Sequence, residues 1–65
     1  MYAEERQQAI AAQILARGRA SVAELALEYD VTTETVRRDL AALDRAGLIR
    51  RVHGGAVPVR ALHIV

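Results

Sequence analysis

The sequence predicts a mainly α fold, three helices completed by a small β-hairpin, and three observations carry that prediction. The first is the stretch Thr32-Thr33-Glu34-Thr35-Val36-Arg37-Arg38-Asp39-Leu40. Here a capping threonine precedes an apolar stripe of Val36, Leu40 and Leu43 at i, i+4 and i+7. The second is Ser21-Val22-Ala23-Glu24, a capping box set just before an apolar run. The third is Gly54-Gly55, paired glycines between two short apolar runs, which is a hairpin signal. Two capped helices joined by a tight turn and followed by a hairpin make a three-helix winged helix-turn-helix.

Taken in order, the first helix is expected from Ala3 to Arg17, ended by Gly18. Ile10 and Ile14, with Ala3, Ala11 and Leu15, line its apolar side, while Glu4, Gln8 and Gln13 face water. Arg19-Ala20 reads as a short extended connector or a strand of two or three residues. The capping box starts a second helix that runs to Tyr29 with Val22, Leu25 and Ala26 inward, and small Ala26 suits a steep helix crossing. Asp30-Val31 then turns the chain, and aspartate tolerates left-handed backbone there.

The third helix is expected over Thr33–Ala46, with Gly47 as its stop. Glu34, Arg38, Ala41 and Arg45 lie opposite the apolar stripe and Arg37 lies on its flank. Asp39 falls close enough to the stripe to be half-buried, so its carboxylate needs a partner, and Arg6 is the candidate. Leu48–Val52 reads as a strand, His53-Gly54-Gly55 as a turn, and Ala56–Val59 as the returning strand. Pro58 must then sit at an edge or a strand end. The domain is expected over 3–58, with the helix-turn-helix at about 20–39 and the wing at about 48–59. Residues 59–65 have no period and read as the start of a linker.

Composition narrows the function classes. A chain of 65 residues makes one small domain and buries only about 60% of its unfolded surface. Cysteine is absent, which removes disulfides and thiolate metal sites. No apolar run approaches the ~18 residues of a membrane span, and nothing resembles a signal peptide, so a cytoplasmic domain with no membrane partner is expected. No thiol, triad or ligand cluster supports an enzyme, a cofactor or a metal. His53 has only His63 as a second imidazole. Gly54-Gly55 is no phosphate loop, because neither Gly-Lys-Ser/Thr nor a helix follows it.

Net charge is only +1, but its distribution is uneven. Residues 1–34 hold three arginines against six acids, and residues 35–65 hold six arginines against two. All nine cations are arginine, the side chain suited to bidentate contact with phosphate and guanine edges. The expected contacts to double-stranded DNA are Thr32, Thr33, Glu34 and Thr35 at the helix N-terminus, then Arg37 and Arg38, then Arg51, His53, Gly54 and Gly55 in the wing. Arg37 and Arg38 differ by about 100° in direction, so one can meet a base edge while the other clamps phosphate. The alternative is a winged helix used as a protein-interaction module, whose exposed face would carry apolar anchors instead.

The chain resembles the DNA-binding domain of the DeoR family of bacterial transcription regulators. The resemblance rests on Arg6, Ile10 and Ile14, then Thr32, Thr35, Val36, Arg37, Arg38, Asp39 and Leu40, then Leu43, Gly47 and Arg51-Val52-His53-Gly54-Gly55-Ala56. It covers about residues 3–58, with Asp30 standing where many helix-turn-helix proteins have glycine. It implies sequence-specific DNA binding by a regulator, a repressor of a carbohydrate or related catabolic operon. Members of the family are several times longer, with a C-terminal domain that senses small metabolites, commonly phosphorylated sugars, and assembles oligomers. The expectation is that this effector domain is absent from the chain, and that homo-oligomers belong to a longer protein. The 65 residues are then expected to be a monomer that binds DNA weakly, loses it steeply with salt and ignores sugar phosphates.

Overall fold

The computed structural model describes residues 1–59, in the order α1 (Ala3–Arg17), β1 (Ala20–Ser21), α2 (Val22–Tyr29), α3 (Thr33–Arg45), β2 (Ile49–Val52) and β3 (Gly55–Pro58). Apart from Val59, the expected linker and His63 lie outside the described residues. Each helix starts where a polar group captures a free first-turn amide. The Glu5 carboxylate accepts from the Tyr2 amide at 3.1 Å, Ser21 Oγ accepts from the Glu24 amide at 3.0 Å, and Thr32 Oγ1 accepts from the Thr35 amide at 3.1 Å. Only the serine half of the Ser21–Glu24 box shows a bond.

The ends are equally local. α3 stops one residue before the expected Ala46, and its last carbonyls are taken up in a Schellman pattern: Gly47 N–H donates to Asp44 O at 2.9 Å and Leu48 N–H to Leu43 O at 3.0 Å. α2 closes in the same way, with Val31 N–H on Ala26 O at 3.0 Å and Asp30 at φ 56° in the left-handed position. A short polar side chain tolerates that backbone, so the turn into Thr32 holds without glycine.

The largest fully buried side chains of the core are Ile10 and Ile14 of α1, Leu25 of α2, Val36 and Leu40 of α3, and Ile49 of β2, with Ala11, Val22, Ala26, Leu43 and Ala56 buried around them. Ala26 is buried at 8% exposure on α2, which packs against α3. Two α1 residues depart from the expected stripe. Leu15 is 43% exposed, because it is rotated about 100° from Ile14 and off the buried face. Ala3 is exposed at the helix start, two turns before Ile10. Gln13, expected in water, is half-buried; its amide donates to Glu28 at 2.9 Å and its carbonyl accepts from the Tyr29 hydroxyl at 2.9 Å. Burial raises the Tyr29 phenol above its usual pKa, with a smaller push from Glu28.

The hairpin belongs to a three-stranded antiparallel sheet in the order β1-β3-β2. Ala20 and Ser21 pair with Ala56 and Gly55, while Ile49, Arg50, Arg51 and Val52 pair with Pro58, Val57, Ala56 and Gly55. Pro58 ends the central strand beyond the reach of β1, so its missing N–H is tolerated. Two boundaries differ from the sequence reading. β2 begins at Ile49, because Leu48 N–H is used in the α3 cap. The turn is His53-Gly54 alone, with Gly54 at φ 76°, and Gly55 is already a buried residue of β3. Positive φ at the second turn position only is the type II pattern.

Candidate nucleic-acid interface

The face that α3 shows to solvent is fixed by what holds its other face. Val36, Leu40 and Leu43 are buried, and Asp39 beside them is buried at 2% exposure, deeper than the half-burial expected from its angle. Its carboxylate is met by α1: Arg6 Nε donates to Oδ2 at 2.5 Å, Arg6 Nη2 to Oδ1 at 3.1 Å and Gln7 Nε2 to Oδ1 at 3.0 Å. The hydrogen bond to Asp39 raises the Arg6 pKa above its usual value, so the guanidinium stays charged. Arg6 is the partner expected from sequence; Gln7 is one that sequence reasoning missed, since a glutamine in a helix gives no sign of a buried role.

On the exposed side, the first turn of α3 is bonded to itself. The Thr32 and Thr35 hydroxyls lie 2.9 Å apart, and Thr33 Oγ1 accepts from Arg37 Nη1 at 3.4 Å. Glu34 and Arg38 form an exposed i, i+4 pair at 3.6 Å, a contact worth a few tenths of a kcal/mol, about 0.3–0.5. Such a contact orients Arg38 without tying it down.

The wing is tied to the helices at both ends. Asp44 Oδ2 at the end of α3 accepts from the Arg51 amide at 3.0 Å, and the Val22 amide at the start of α2 donates to Gly54 O at 2.9 Å. These bonds close a cleft lined by Arg37 and Leu40 of α3 on one side and Arg51, His53 and Gly54 on the other. The structure therefore brings Arg37, Arg51, His53, Gly54 and Gly55 together. Thr32, Thr33, Glu34, Thr35 and Arg38 lie outside the cleft, toward the start of α3 and on its open face. Of the residues expected to contact DNA, Gly55 is the one that is buried, placed in the strand and not at the tip. Asp44 as the anchor of the wing was not legible, because an exposed helix-end acid looks the same whether or not a backbone amide meets it.

Two exposed guanidinium groups from separate elements thus face one groove whose floor includes Leu40. Among the described residues no group of three His, Cys, Asp or Glu is placed to hold a metal ion, and no helix is long and apolar enough to cross a membrane. A protein-family model described as a DeoR-like helix-turn-helix domain matches residues 6–61. The chain belongs to the DeoR family. It is similar to the L-fucose operon activator of Haemophilus influenzae, 56% identical over 41 residues, which are 63% of this chain and 16% of the relative. It is also similar to the HTH-type transcriptional regulator GolR of Listeria innocua, 42% identical over 57 residues, 88% of this chain and 22% of that protein. The lactose phosphotransferase system repressor of Streptococcus mutans is 43% identical over 56 residues, 86% of this chain and 22% of its own length. The chain thus spans about a fifth of the length of these DeoR-type relatives. No solved structure matches it. Within the family, the DeoR-like domain is a DNA-binding unit of transcription regulation.

Proposed function

We propose that this DeoR-type domain binds double-stranded DNA in a sequence-specific way, with α3 in the major groove and the wing on the backbone or minor groove. The observation that carries the reading is the cleft in which Arg37 of α3 and Arg51 of the wing face each other across a single groove. Thr32, Thr33, Glu34, Thr35, Arg37 and Arg38 meet the bases and flanking phosphates, and Arg51, His53 and Gly54 meet the backbone. Gly55 serves by letting the wing close against β1. The names of the relatives, which include regulators of fucose and lactose genes, support a role in a carbohydrate or related catabolic operon. Regulation there is by repression, in the cytoplasm, within a longer homo-oligomeric protein whose further domain binds an effector such as a phosphorylated sugar. A protein-docking role has less support, since every large apolar side chain of α3 is buried and its exposed face is charged.

Selection of bound duplexes from a random DNA pool, followed by titration at several salt concentrations, tests this reading. A flat salt response with no enriched sequence would reject it. Arg37→Ala and Arg38→Ala should leave the melting temperature nearly unchanged. The variant that removes a base contact should lose about 1–3 kcal/mol of binding to the selected site. Unchanged affinity in both variants would remove α3 from the interface. Arg51→Ala should weaken selected and unrelated duplexes alike and lower the salt slope by about one phosphate. A loss restricted to one base position would instead make Arg51 a reader of sequence.

A further inference from the structure

The wing tip separates two clefts. The inner one, between the wing and α3, contains Arg37 and Arg51. The outer one lies on the other side of the tip and is lined by Arg19, Glu24, Val52, His53, Gly54 and Val57. Successive residues of a strand point to opposite faces. Arg51 pairs with buried Ala56 and takes the inner side, whereas Arg50 pairs with Val57 and takes the outer side. Arg19 reaches that outer side because it directly precedes Ala20, which pairs with Ala56 from the opposite edge of the sheet. The wing is therefore flanked by guanidinium groups on both sides. Arg19 and Arg50 are exposed, and among the described residues neither forms an ion pair.

A duplex has one backbone strand running between its major and minor grooves. With α3 in the major groove and the wing at the adjacent minor groove, that strand runs through the inner cleft, between Arg37 and Arg51. The opposite wall of the minor groove, only about 6 Å away, then runs along the outer side of the wing. We infer that Arg19 and Arg50 are phosphate contacts for this second strand, so that the wing is clamped from both sides and not only at its tip. The inference rests on the proposed DNA-binding reading. Glu24 is the carboxylate lining the outer cleft, and it opposes phosphate there.

The test is fluorescence anisotropy of the 65-residue chain on a short, end-labelled, mixed-sequence duplex between about 50 and 200 mM salt. Arg19→Ala and Arg50→Ala should each weaken binding several-fold on any duplex and lower the salt slope by about 0.9. Arg19→Lys should retain most of the slope, and this separates lost charge from lost folding. Glu24→Gln should raise affinity, an effect that damage to the fold does not produce. If both alanine variants keep the parent slope while Arg51→Ala lowers it, the outer contact is wrong and the inner one stands. If the parent itself shows no salt slope and Arg51→Ala changes nothing, the DNA reading fails and takes this inference with it.

Discussion

Arg6→Ala should destabilise this domain more than any substitution at its exposed arginines, and more than Asp39→Ala. The pair is asymmetric. The Asp39 side chain is 3% exposed and that of Arg6 is 14% exposed. Removing Arg6 leaves a buried carboxylate with only the Gln7 amide as a donor. Removing Asp39 leaves a guanidinium near the surface, which can turn outward and recover water. Breaking a buried pair costs about 3–5 kcal/mol, and the greater loss belongs to the variant that strands the deeper charge. A domain of this length has a total stability of only about 3–10 kcal/mol, so Arg6→Ala should be largely unfolded at room temperature or close to it. Urea unfolding of both single variants and the double variant measures this. The double variant should be less damaged than the two singles added together, since neither charge is then left alone. Losses below about 1 kcal/mol in both singles would make the pair equivalent to a surface ion pair. An Asp39→Ala protein that melts like the parent but loses DNA would move Asp39 from support to recognition.

That pair also marks how far the sequence could be read. A carboxylate about 60° from an apolar stripe announces that it needs a partner, and Arg6 was the candidate cation on the first helix. The caps at Ser21 and Thr32, the left-handed Asp30 and the three helices were legible because each is decided within a turn or two of chain. The β1 strand was legible as a short extended connector or a strand of two or three residues, but its position and its partner were not. Two residues carry no period, and the pairing of Ser21 with Gly55 spans half the chain. The same distance hid Arg19 beside the wing. Asp44 lies only seven residues from Arg51, and its contact with the Arg51 amide was hidden because it depends on how the chain turns from α3 into β2. At the candidate site, the helical repeat placed Arg37 and Arg38 about 100° apart but could not say which one meets the wing, because that depends on where β2 leaves α3. The structure puts Arg37 in the cleft and leaves Arg38 on the open face with Glu34.

The two wing glycines look alike in sequence, and their replacement should separate them. A Cβ on Gly55 would lie 2.1 Å from the Ala20 carbonyl oxygen and 3.1 Å from both the Ala20 carbonyl carbon and Ser21 Cα. Every one of these neighbours is backbone, so no side chain can swing aside; β1 itself has to move. Moving it strains the pairing of Ser21 with Gly55, the bond from the Val22 amide to Gly54 O, and the serine that caps α2. Overpacking of this kind costs about 1–3 kcal/mol and occasionally more, and here one substitution reaches a sheet edge, a helix start and the wing. Gly54→Ala meets nothing within 4 Å, and its cost is the left-handed backbone at φ 76°, about 1–2 kcal/mol. Gly55→Ala should therefore melt at a clearly lower temperature than Gly54→Ala. It should also weaken DNA binding of the fraction that remains folded, because the cleft between Arg37 and Arg51 depends on where β3 lies. Thermal unfolding of both variants, with anisotropy measured well below the transition, makes the comparison. If Gly55→Ala proves no less stable than Gly54→Ala, β1 does not press on β3 as closely as the sheet register requires, and the wing would owe its position to the Asp44 and Val22 bonds alone.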